Sequence, residues 1–259
     1  ENVEGRTVGL SYFSQKRGFT DATIRKFGLG FCSAAGDAMS QAALAAGYKE
    51  EFLLSTGLAL KREGDGRLRD RFYDRVIFPV HNVSGRVVAF GGRTLRTDKK
   101  VAKYQNSPES EIYSKSRELY GLFFAKKAIQ QEDMAIMVEG YADVISMHQA
   151  GVENVVASSG TSLTEEQIRL LGRFTRNITL MYDGDKAGVK AALRGVDLVL
   201  KENMNVRIVL LPEEHDPDTF ARAHSSDELR AYIKEQAQDF LAFKAQLLLG
   251  DATDPQTRS

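Results

Sequence analysis

Residues 177–188 read NITLMYDGDKAG, and they contain the clearest indication of the fold class. A short apolar run ends at Tyr182 and is followed at once by DGD and then by a helix-forming segment. Apolar runs of the same kind recur at 134–138 (MAIMV), 154–158 (NVVAS) and 205–211 (NVRIVLL), with helix-forming stretches between them. Strands and helices that alternate at this spacing predict a parallel sheet with crossover helices.

The chain before this sheet has a different pattern. Residues 75–95, RVIFPVHNVSGRVVAFGGRTL, place two strand-like runs around the turn HNVSGR and predict a β-hairpin. Residues 20–31 predict a short helix with Thr20 at its start and Gly28 and Gly30 as stops. After the sheet, the apolar spacing of 227–250 predicts a terminal helical piece.

We therefore predict an α/β protein, α+β overall, in three parts. A basic amino-terminal subdomain of helices and an antiparallel hairpin covers 1–131, and the core of a parallel-sheet domain covers 132–212. An acidic loop and a small helical subdomain cover 213–259, where the last residues, DATDPQTRS, are expected to form a loop or to mark a cut inside a longer protein.

Composition bounds the class of protein. The 259 residues are 42% hydrophobic and 27% charged, which is typical of a globular chain, and no run of about eighteen apolar residues predicts a membrane span. The start lacks a signal-peptide pattern, so we expect a cytoplasmic protein. The single cysteine, Cys32, excludes an intramolecular disulfide framework and predicts no multi-cysteine zinc site in these residues.

The net charge of zero hides an asymmetry along the chain. Residues 61–131 hold 16 Lys and Arg against 8 Asp and Glu, whereas residues 132–259 hold 13 against 21. This division favours a protein that binds a polyanion with one part and cations with the other. Two solvated surfaces of different charge are the simpler alternative.

Acidic residues follow the predicted strands of the sheet. In an open parallel sheet the functional crevice lies beyond the carboxyl ends of the strands. Three groups are placed there: Glu139, the pair Asp183 and Asp185, and the pair Asp216 and Asp218. With Gly184 leaving room for a ligand at the main chain, the cluster predicts a site for one or two Mg²⁺ or Mn²⁺ ions. Alternatively, Asp185 and Asp218 cap the helices that follow them.

Several stretches of the sequence also resemble a known family. The Glu139-Gly140 pair, DGDKAG and the later Asp pair are similar to the three parts of the Toprim domain, which primases, topoisomerases and some nucleases share. Residues 138–171 and 182–188 closely resemble the bacterial replicative primases, as do residues 75–95, 103–122 and 12–31. The resemblance covers roughly residues 10 to 225.

The resemblance implies specific site residues. It implies a metal site of Glu139, Asp183, Asp185, Asp216 and Asp218, with Asp143 beside it. It also implies that template and nucleotide contact the basic stretches through Arg93, Lys103, Tyr104, Asn106 and Lys115. Lysine and arginine suit phosphates and a tyrosine ring can stack on bases. A solvated turn for Arg93 and a core position for Tyr104 are the structural alternatives.

The family further implies modules that this sequence does not match. Bacterial primases carry a cysteine-ligated zinc module and a helical module that contacts the replicative helicase, so we interpret the chain as a catalytic core. Partners such as the helicase and the single-strand-binding protein are then expected to be reached through other modules. No GxxxxGK[S/T] loop occurs in the sequence, which argues against a fused helicase activity.

The function implied is the synthesis of short RNA primers on single-stranded DNA at replication forks, from ribonucleoside triphosphates. Glu139 acts in this scheme as a metal ligand or as a proton acceptor. Two alternatives remain at this stage. One is a Toprim nuclease or topoisomerase, which would cleave DNA without nucleotides, and the other is a catalytically silent nucleic-acid-binding module.

Overall fold

A computed structural model of the chain describes residues 3–97, 101–160 and 162–245. The chain divides into two compact units, an amino-terminal unit of residues 1–123 and a carboxy-terminal unit of residues 124–259. The finer division at 131 and 212 stays a prediction. Within the described ranges, no helix combines the length and the apolar character needed to cross a membrane.

The amino-terminal unit begins with two π-helical segments, Gly5–Leu10 and Tyr12–Lys16. Its helices are α1 (Asp21–Phe27), α2 (Ala38–Ala45) and α3 (Glu50–Ser55). Its strands are β1 (Gly30–Cys32), β2 (Ala59–Lys61), β3 (Leu68–Asp70), β4 (Arg75–His81), β5 (Val87–Thr94) and β6 (Tyr104–Asn106).

The predicted first helix and the predicted hairpin are both confirmed. The side chain of Thr20 accepts a hydrogen bond from the Thr23 amide at 3.2 Å, and Gly28 ends α1 in the left-handed conformation with φ of 66°. Gly30 is not a stop, because it begins β1. The hairpin of β4 and β5 is antiparallel and lies at the centre of a four-stranded sheet of order β1-β4-β5-β6.

Helix α4, Leu122–Glu132, runs into the carboxy-terminal unit and is its first helix. The strands of this unit are β7 (Ala135–Val138), β8 (Val155–Ala157), β9 (Asn177–Tyr182), β10 (Asn205–Leu210) and β11 (Gln238–Asp239). Its other helices are α5 (Tyr141–Gln149), α6 (Glu165–Leu171), α7 (Lys186–Lys201), α8 (Pro217–Ala223) and α9 (Ser226–Gln236).

The predicted parallel sheet is confirmed. Strands β7 to β10 pair in parallel in the order β8-β7-β9-β10, and helices α5, α6 and α7 are the crossovers. Every residue of β7 and β8 is buried, as expected for strands covered on both faces. The connection from β7 to β8 runs toward one edge of the sheet, and the connection from β9 to β10 runs toward the other edge. The strand order therefore reverses between β7 and β9.

The tail differs from the single helical piece that was predicted. Helix α9 ends at Gln236, Ala237 is extended, and β11 then pairs antiparallel with β10 before the chain becomes helical again through residue 245. The edge of β10 provides unpaired backbone groups that a short strand can satisfy. Asp239 lies opposite Arg207 in this pairing, which is a favourable combination of charges. The loop predicted at the end of the chain lies outside the described residues.

Candidate active site

The point where the strand order reverses places two of the predicted acids side by side. Glu139 directly follows β7 and Asp183 directly follows β9, and these two strands are hydrogen-bonded neighbours. In open α/β sheets this is the position at which ligands bind. The topology therefore brings Glu139 and Asp183 to the same end of the sheet.

The DGD turn is shaped by two glycines. A Cβ atom on Gly184 would overlap the carbonyl oxygen of Leu211, and one on Gly188 would overlap that of Asp183. The sequence predicted that a ligand approaches the main chain at Gly184. In the structure the backbone that follows β10 occupies this space instead. Asp185 caps α7, accepting a hydrogen bond from the Gly188 amide at 2.7 Å, so the capping alternative for Asp185 is confirmed.

Asp216, rather than Asp218, caps the next helix. Its Oδ1 atom accepts from the Thr219 amide and hydroxyl, both at 2.7 Å, at the start of α8. The capping alternative for Asp218 is therefore wrong. Asp218 lies in the first turn of α8 and is 1% exposed. Its carboxylate accepts a hydrogen bond from Ser146 and is paired with Arg222 at 3.2 Å.

The carboxylates influence one another's protonation. Burial raises the pKa of Asp183 to about 6, and the charges of Asp216, Glu139 and Asp185 add to this rise. Burial also raises the pKa of Glu139, with a further contribution from Asp185 and an opposing one from Arg194. Like charges that are held close together and partly out of water favour the protonated forms.

Asp143 lies behind this group in the first turn of α5. Burial of its carboxyl group raises its pKa to about 7, and the neighbouring charges of Asp216, Asp218 and Asp183 add to the rise. A hydrogen bond from the Gly140 amide to Asp143 Oδ2 at 2.8 Å acts in the opposite direction. We call the whole group the acidic centre: Glu139, Asp143, Asp183, Asp185, Asp216 and Asp218.

The chemistry of the acidic centre fits hard divalent cations. All six groups present carboxylate oxygens, which Mg²⁺ and Mn²⁺ prefer, and their mutual repulsion is relieved when a cation binds. Over the described residues, no three His, Cys, Asp or Glu side chains are already grouped to hold a single ion. The carboxylates are thus close enough to raise one another's pKa, but in the described part of the chain they are not yet arranged around a single ion.

In the amino-terminal unit, Arg93 and Tyr104 form the centre of the predicted template surface. They lie directly opposite each other on β5 and β6. The Arg93 guanidinium donates a hydrogen bond to the Tyr12 hydroxyl, and it lies 5.1 Å from the Tyr12 ring centroid and 5.8 Å from that of Tyr104. Arg93 is thus part of a strand, not of a solvated turn. Tyr104 is 36% exposed, so it is not a core residue.

The remaining predicted residues lie near this pair in the chain, and we call the five together the basic face: Arg93, Lys103, Tyr104, Asn106 and Lys115. Lys103 is exposed, whereas Asn106 and Lys115 are half-buried. Asn106 pairs with Gly91 across β5 and β6. The Lys115 amide donates to Glu109 Oε1 at 2.8 Å, which fixes the backbone at this lysine.

Several residues that shape these sites were missed in the sequence. Buried Arg75 donates to the backbone carbonyls of Gly92 and Ala102, at 3.2 and 3.1 Å, and so anchors the chain that leads into β6. Ser146 is 72 positions from its partner Asp218, and a local sequence pattern cannot predict a contact between residues so far apart. Arg222 was detectable, because its spacing of four from Asp218 is that of a helical ion pair.

Comparisons with known proteins agree with this architecture. The family described as "DNA primase catalytic core, N-terminal domain" matches residues 2–126, and the family described as "Toprim-like" matches residues 136–221. A solved structure of the DnaG primase catalytic domain bound to single-stranded DNA is 35% identical, with a TM-score of 0.80 over 96% of this chain and 76% of that chain. The chain belongs to the DNA primase family.

Curated DNA primases support the same assignment. The DNA primase of Pseudomonas aeruginosa is 41% identical over 255 residues, and that of Halalkalibacterium halodurans is 39% identical over 244 residues. These alignments cover 97% and 94% of this chain but only 38% and 40% of the two relatives. The chain therefore spans about two fifths of the length of these primases, in the part that holds the catalytic core and the metal-binding Toprim fold.

Proposed function

We propose that this chain synthesises short RNA primers on single-stranded DNA by metal-dependent nucleotidyl transfer at replication forks, in the cytoplasm. The observation that carries the proposal is the acidic centre at the reversal of strand order, in a chain that belongs to the primase family. A DNA template is further supported by the related primase domain that was solved with single-stranded DNA.

The metal in this proposal is Mg²⁺ or Mn²⁺, as one or more ions, with no zinc in this chain. Its ligands come from the acidic centre. Glu139, Asp183, Asp185 and Asp216 are at strand ends and helix starts, whereas Asp218 is buried against Ser146 and Arg222. When bound, the cation would neutralise the charge that develops on the transferring phosphate.

The side chains of the acidic centre have further tasks. The raised pKa of Glu139 suits it to accept the proton of an attacking 3′ hydroxyl, if it is not itself a ligand. Asp185 and Asp216 are fixed by their helix-capping hydrogen bonds, so their carboxylates are held in place before substrate binds. Buried Asp218 positions α8, and with it Asp216, through its bond with Ser146.

The template and the ribonucleoside triphosphates are assigned to the basic face. Arg93 holds its guanidinium between two tyrosine rings, and its Nε atom has no hydrogen-bond partner in the described part of the chain. Exposed Lys103 provides a point charge for phosphate and Tyr104 an exposed ring for stacking. Helicase and single-strand-binding protein are proposed to be contacted by other parts of the longer primases.

Ribonucleotide incorporation on single-stranded DNA tests the proposal. The parent chain, supplied with Mg²⁺ or Mn²⁺, should produce template-dependent RNA, and Asp183→Asn should abolish it while template affinity changes less than about 2-fold. Asp197→Asn, an exposed carboxylate on α7, is the matched control and should stay active. Metal-dependent DNA cleavage without nucleotides, in place of RNA synthesis, would overturn the proposal in favour of a Toprim nuclease.

Thermal unfolding provides a readout of the metal that does not depend on activity. A ligand that binds the folded state alone stabilises it by mass action. Mg²⁺ or Mn²⁺ should therefore raise the unfolding temperature of the parent and of Asp197→Asn, and should have a much smaller effect on Asp183→Asn. Equal stabilisation of all three proteins would place the cation elsewhere.

A further inference from the structure

A second concentration of positive charge lies on the small β2–β3 hairpin, which forms a sheet of its own, distinct from the four-stranded sheet that carries Arg93 and Tyr104. In this hairpin Leu60 lies opposite Arg69. The hydrogen-bonded pairing continues toward the turn, where the Arg62 amide donates to the Arg67 carbonyl at 2.9 Å, so Arg62 lies opposite Arg67. Side chains alternate between the two faces of a hairpin. Arg62, Arg67 and Arg69 therefore share one face, which we call the arginine face.

The opposite side of the hairpin is its buried side. Ala59 and Leu68 pack there with Leu53 in a small core. Lys61, which also alternates toward that side, is ion-paired with Glu50 at 2.9 Å. The hairpin is therefore oriented by its core, and this orientation exposes the three arginines to solvent on the other side.

The arginines are poorly neutralised. Asp65 is 3.9 Å from both Arg62 and Arg67, at the outer limit of an ion pair, and its Oδ1 atom already accepts from the Arg67 amide at 3.1 Å. Exposed pairs of this kind contribute little, and like charges opposite each other on paired strands are unfavourable. The side chains of Arg62 and Arg67 are 58% and 82% exposed.

A pocket of about 360 Å³ lies at the foot of the arginine face. It is bounded by all three arginines, by the loop from Ala34 to Asp37 and by Tyr73. Arg69 covers the Tyr73 ring at 4.3 Å, so that ring face is not available for stacking by a base. Asp37 is the acid that lines this pocket, so its lining carries an excess of positive charge.

We propose that the arginine face binds the phosphate backbone of the single-stranded nucleic acid, as a contact separate from the basic face. Three exposed guanidinium groups along one hairpin face match the repeated phosphates of a strand, and the covered tyrosine makes the contact independent of base identity. The ligand chemistry is phosphate, and the strand is preferred to free triphosphate because the arginines are spread along an open face. This inference rests on the proposed function, because the strand is the proposed template.

The test uses the 259-residue chain, with fluorescently labelled single-stranded DNA titrated at several salt concentrations. On single strands the logarithm of affinity falls with the logarithm of salt by about 0.7 for each phosphate contact. The variant R62Q/R67Q/R69Q should therefore have a slope shallower by about 2 than the parent. The double variant R62Q/R67Q, which keeps Arg69 on Tyr73, should be shallower by about 1.4.

A matched control removes the same charge from lysines that are ion-paired in the structure. The variant K49Q/K61Q/K201Q changes residues paired with Glu51, Glu50 and Glu165, and should keep the parental slope within about 0.5. Equal slopes for the parent and both arginine variants would overturn the inference. So would loss of inorganic tripolyphosphate binding with an unchanged DNA slope, because that result would assign the pocket to free nucleotides.

Primer synthesis by the same preparations separates this inference from the proposed function. A parent that makes primers while the slopes are equal would refute the arginine face alone. A parent that binds DNA with the expected difference in slope but makes no primers would refute the proposed function and support the arginine face.

Discussion

In the carboxy-terminal unit the acidic side chains lie at the ends of regular strands and helices. In the amino-terminal unit the basic face draws on β5, β6 and the chain next to β6, and side-chain contacts hold it in place. Asp185 and Asp216 are held by the first backbone amides of α7 and α8. Arg93 is held by the ring and hydroxyl of Tyr12, 81 positions away, and the approach to β6 is held by Arg75.

The two units therefore hold their functional side chains in place by different means. The acidic centre is positioned by main-chain geometry, so a change of backbone near the DGD turn should be severe. The basic face is positioned by side-chain contacts, so single substitutions there should have graded effects.

The largest effect is expected for Gly184→Ala. The new Cβ atom would overlap the carbonyl oxygen of Leu211, so the DGD turn and the chain after β10 would have to separate. A displacement of about 1 Å at a reaction centre can reduce rate by about 100-fold, and we expect at least about that loss in primer synthesis. Steady-state incorporation assays measure it.

Gly30→Ala is the control for this change. A Cβ atom added at Gly30 would have no neighbour within 4 Å, and the backbone there is not left-handed, so alanine should be tolerated. An active Gly184→Ala protein would show that the acidic centre does not depend on this close approach, and the contrast between the two units would then be lost.

The second prediction concerns Asp143, whose buried carboxyl has a pKa near 7 against an ordinary value of 3.8. A raised pKa in the folded state means that ionisation destabilises the fold. In the absence of divalent cations, the unfolding free energy of the parent should fall as pH rises from about 4 to 7. Asp143→Asn keeps the acceptor for the Gly140 amide and removes the charge, so it should be more stable above pH 7.

The gain for Asp143→Asn should be about 1–4 kcal/mol at pH 8 and should vanish near pH 4, since one pKa unit corresponds to about 1.4 kcal/mol. Urea unfolding at several pH values measures it. Asp197→Asn, at an exposed position, should change stability by less than about 0.5 kcal/mol at either pH. A destabilised Asp143→Asn protein at pH 8 would indicate that the charge is compensated.

The third prediction addresses the buried bond between Ser146 and Asp218. Ser146→Ala leaves the Asp218 carboxylate with Arg222 as its ion-pair partner and removes one buried hydrogen bond, so stability should fall by about 1–2 kcal/mol. Because α8 carries Asp216, primer synthesis should also decrease. Ser55→Ala, at an exposed helix end, should be nearly neutral when measured by the same denaturation. If Ser146→Ala is equally neutral, Asp218 does not position α8 through this bond.

The two units also differ in how far the sequence predicted them. Alternation of apolar runs and helices located the four parallel strands, and acids placed after strands located Glu139 and Asp183, because both signals are local and regular. The strand β11 was not predicted, since its two residues pair only because β10 offers a free edge. Ser146 and Arg75 were missed for the same reason: their partners are distant in sequence.

A turn residue and a helix cap show the same limit on a smaller scale. Gly184 was correctly singled out as a close-approach position, but the neighbour proved to be the carbonyl of Leu211. Helix capping was the alternative considered for Asp218, whereas Asp216 performs it, because the helix begins at Pro217. The residue type was informative in both cases, and the identity of its partner required the folded chain.

The smallest effect is expected for Arg93→Lys, which keeps the charge but loses the planar guanidinium that lies between the rings of Tyr12 and Tyr104. Affinity for single-stranded DNA should fall about 5-fold, roughly 1 kcal/mol, with an unchanged salt slope. Arg93→Ala should also reduce the slope by about 0.7, because one phosphate contact is removed. Tyr12→Phe keeps the ring and should weaken binding less than about 2-fold. If Arg93→Lys binds as the parent does, the charge at position 93 suffices, and the precise placement of the guanidinium by two tyrosines has no role in holding the template.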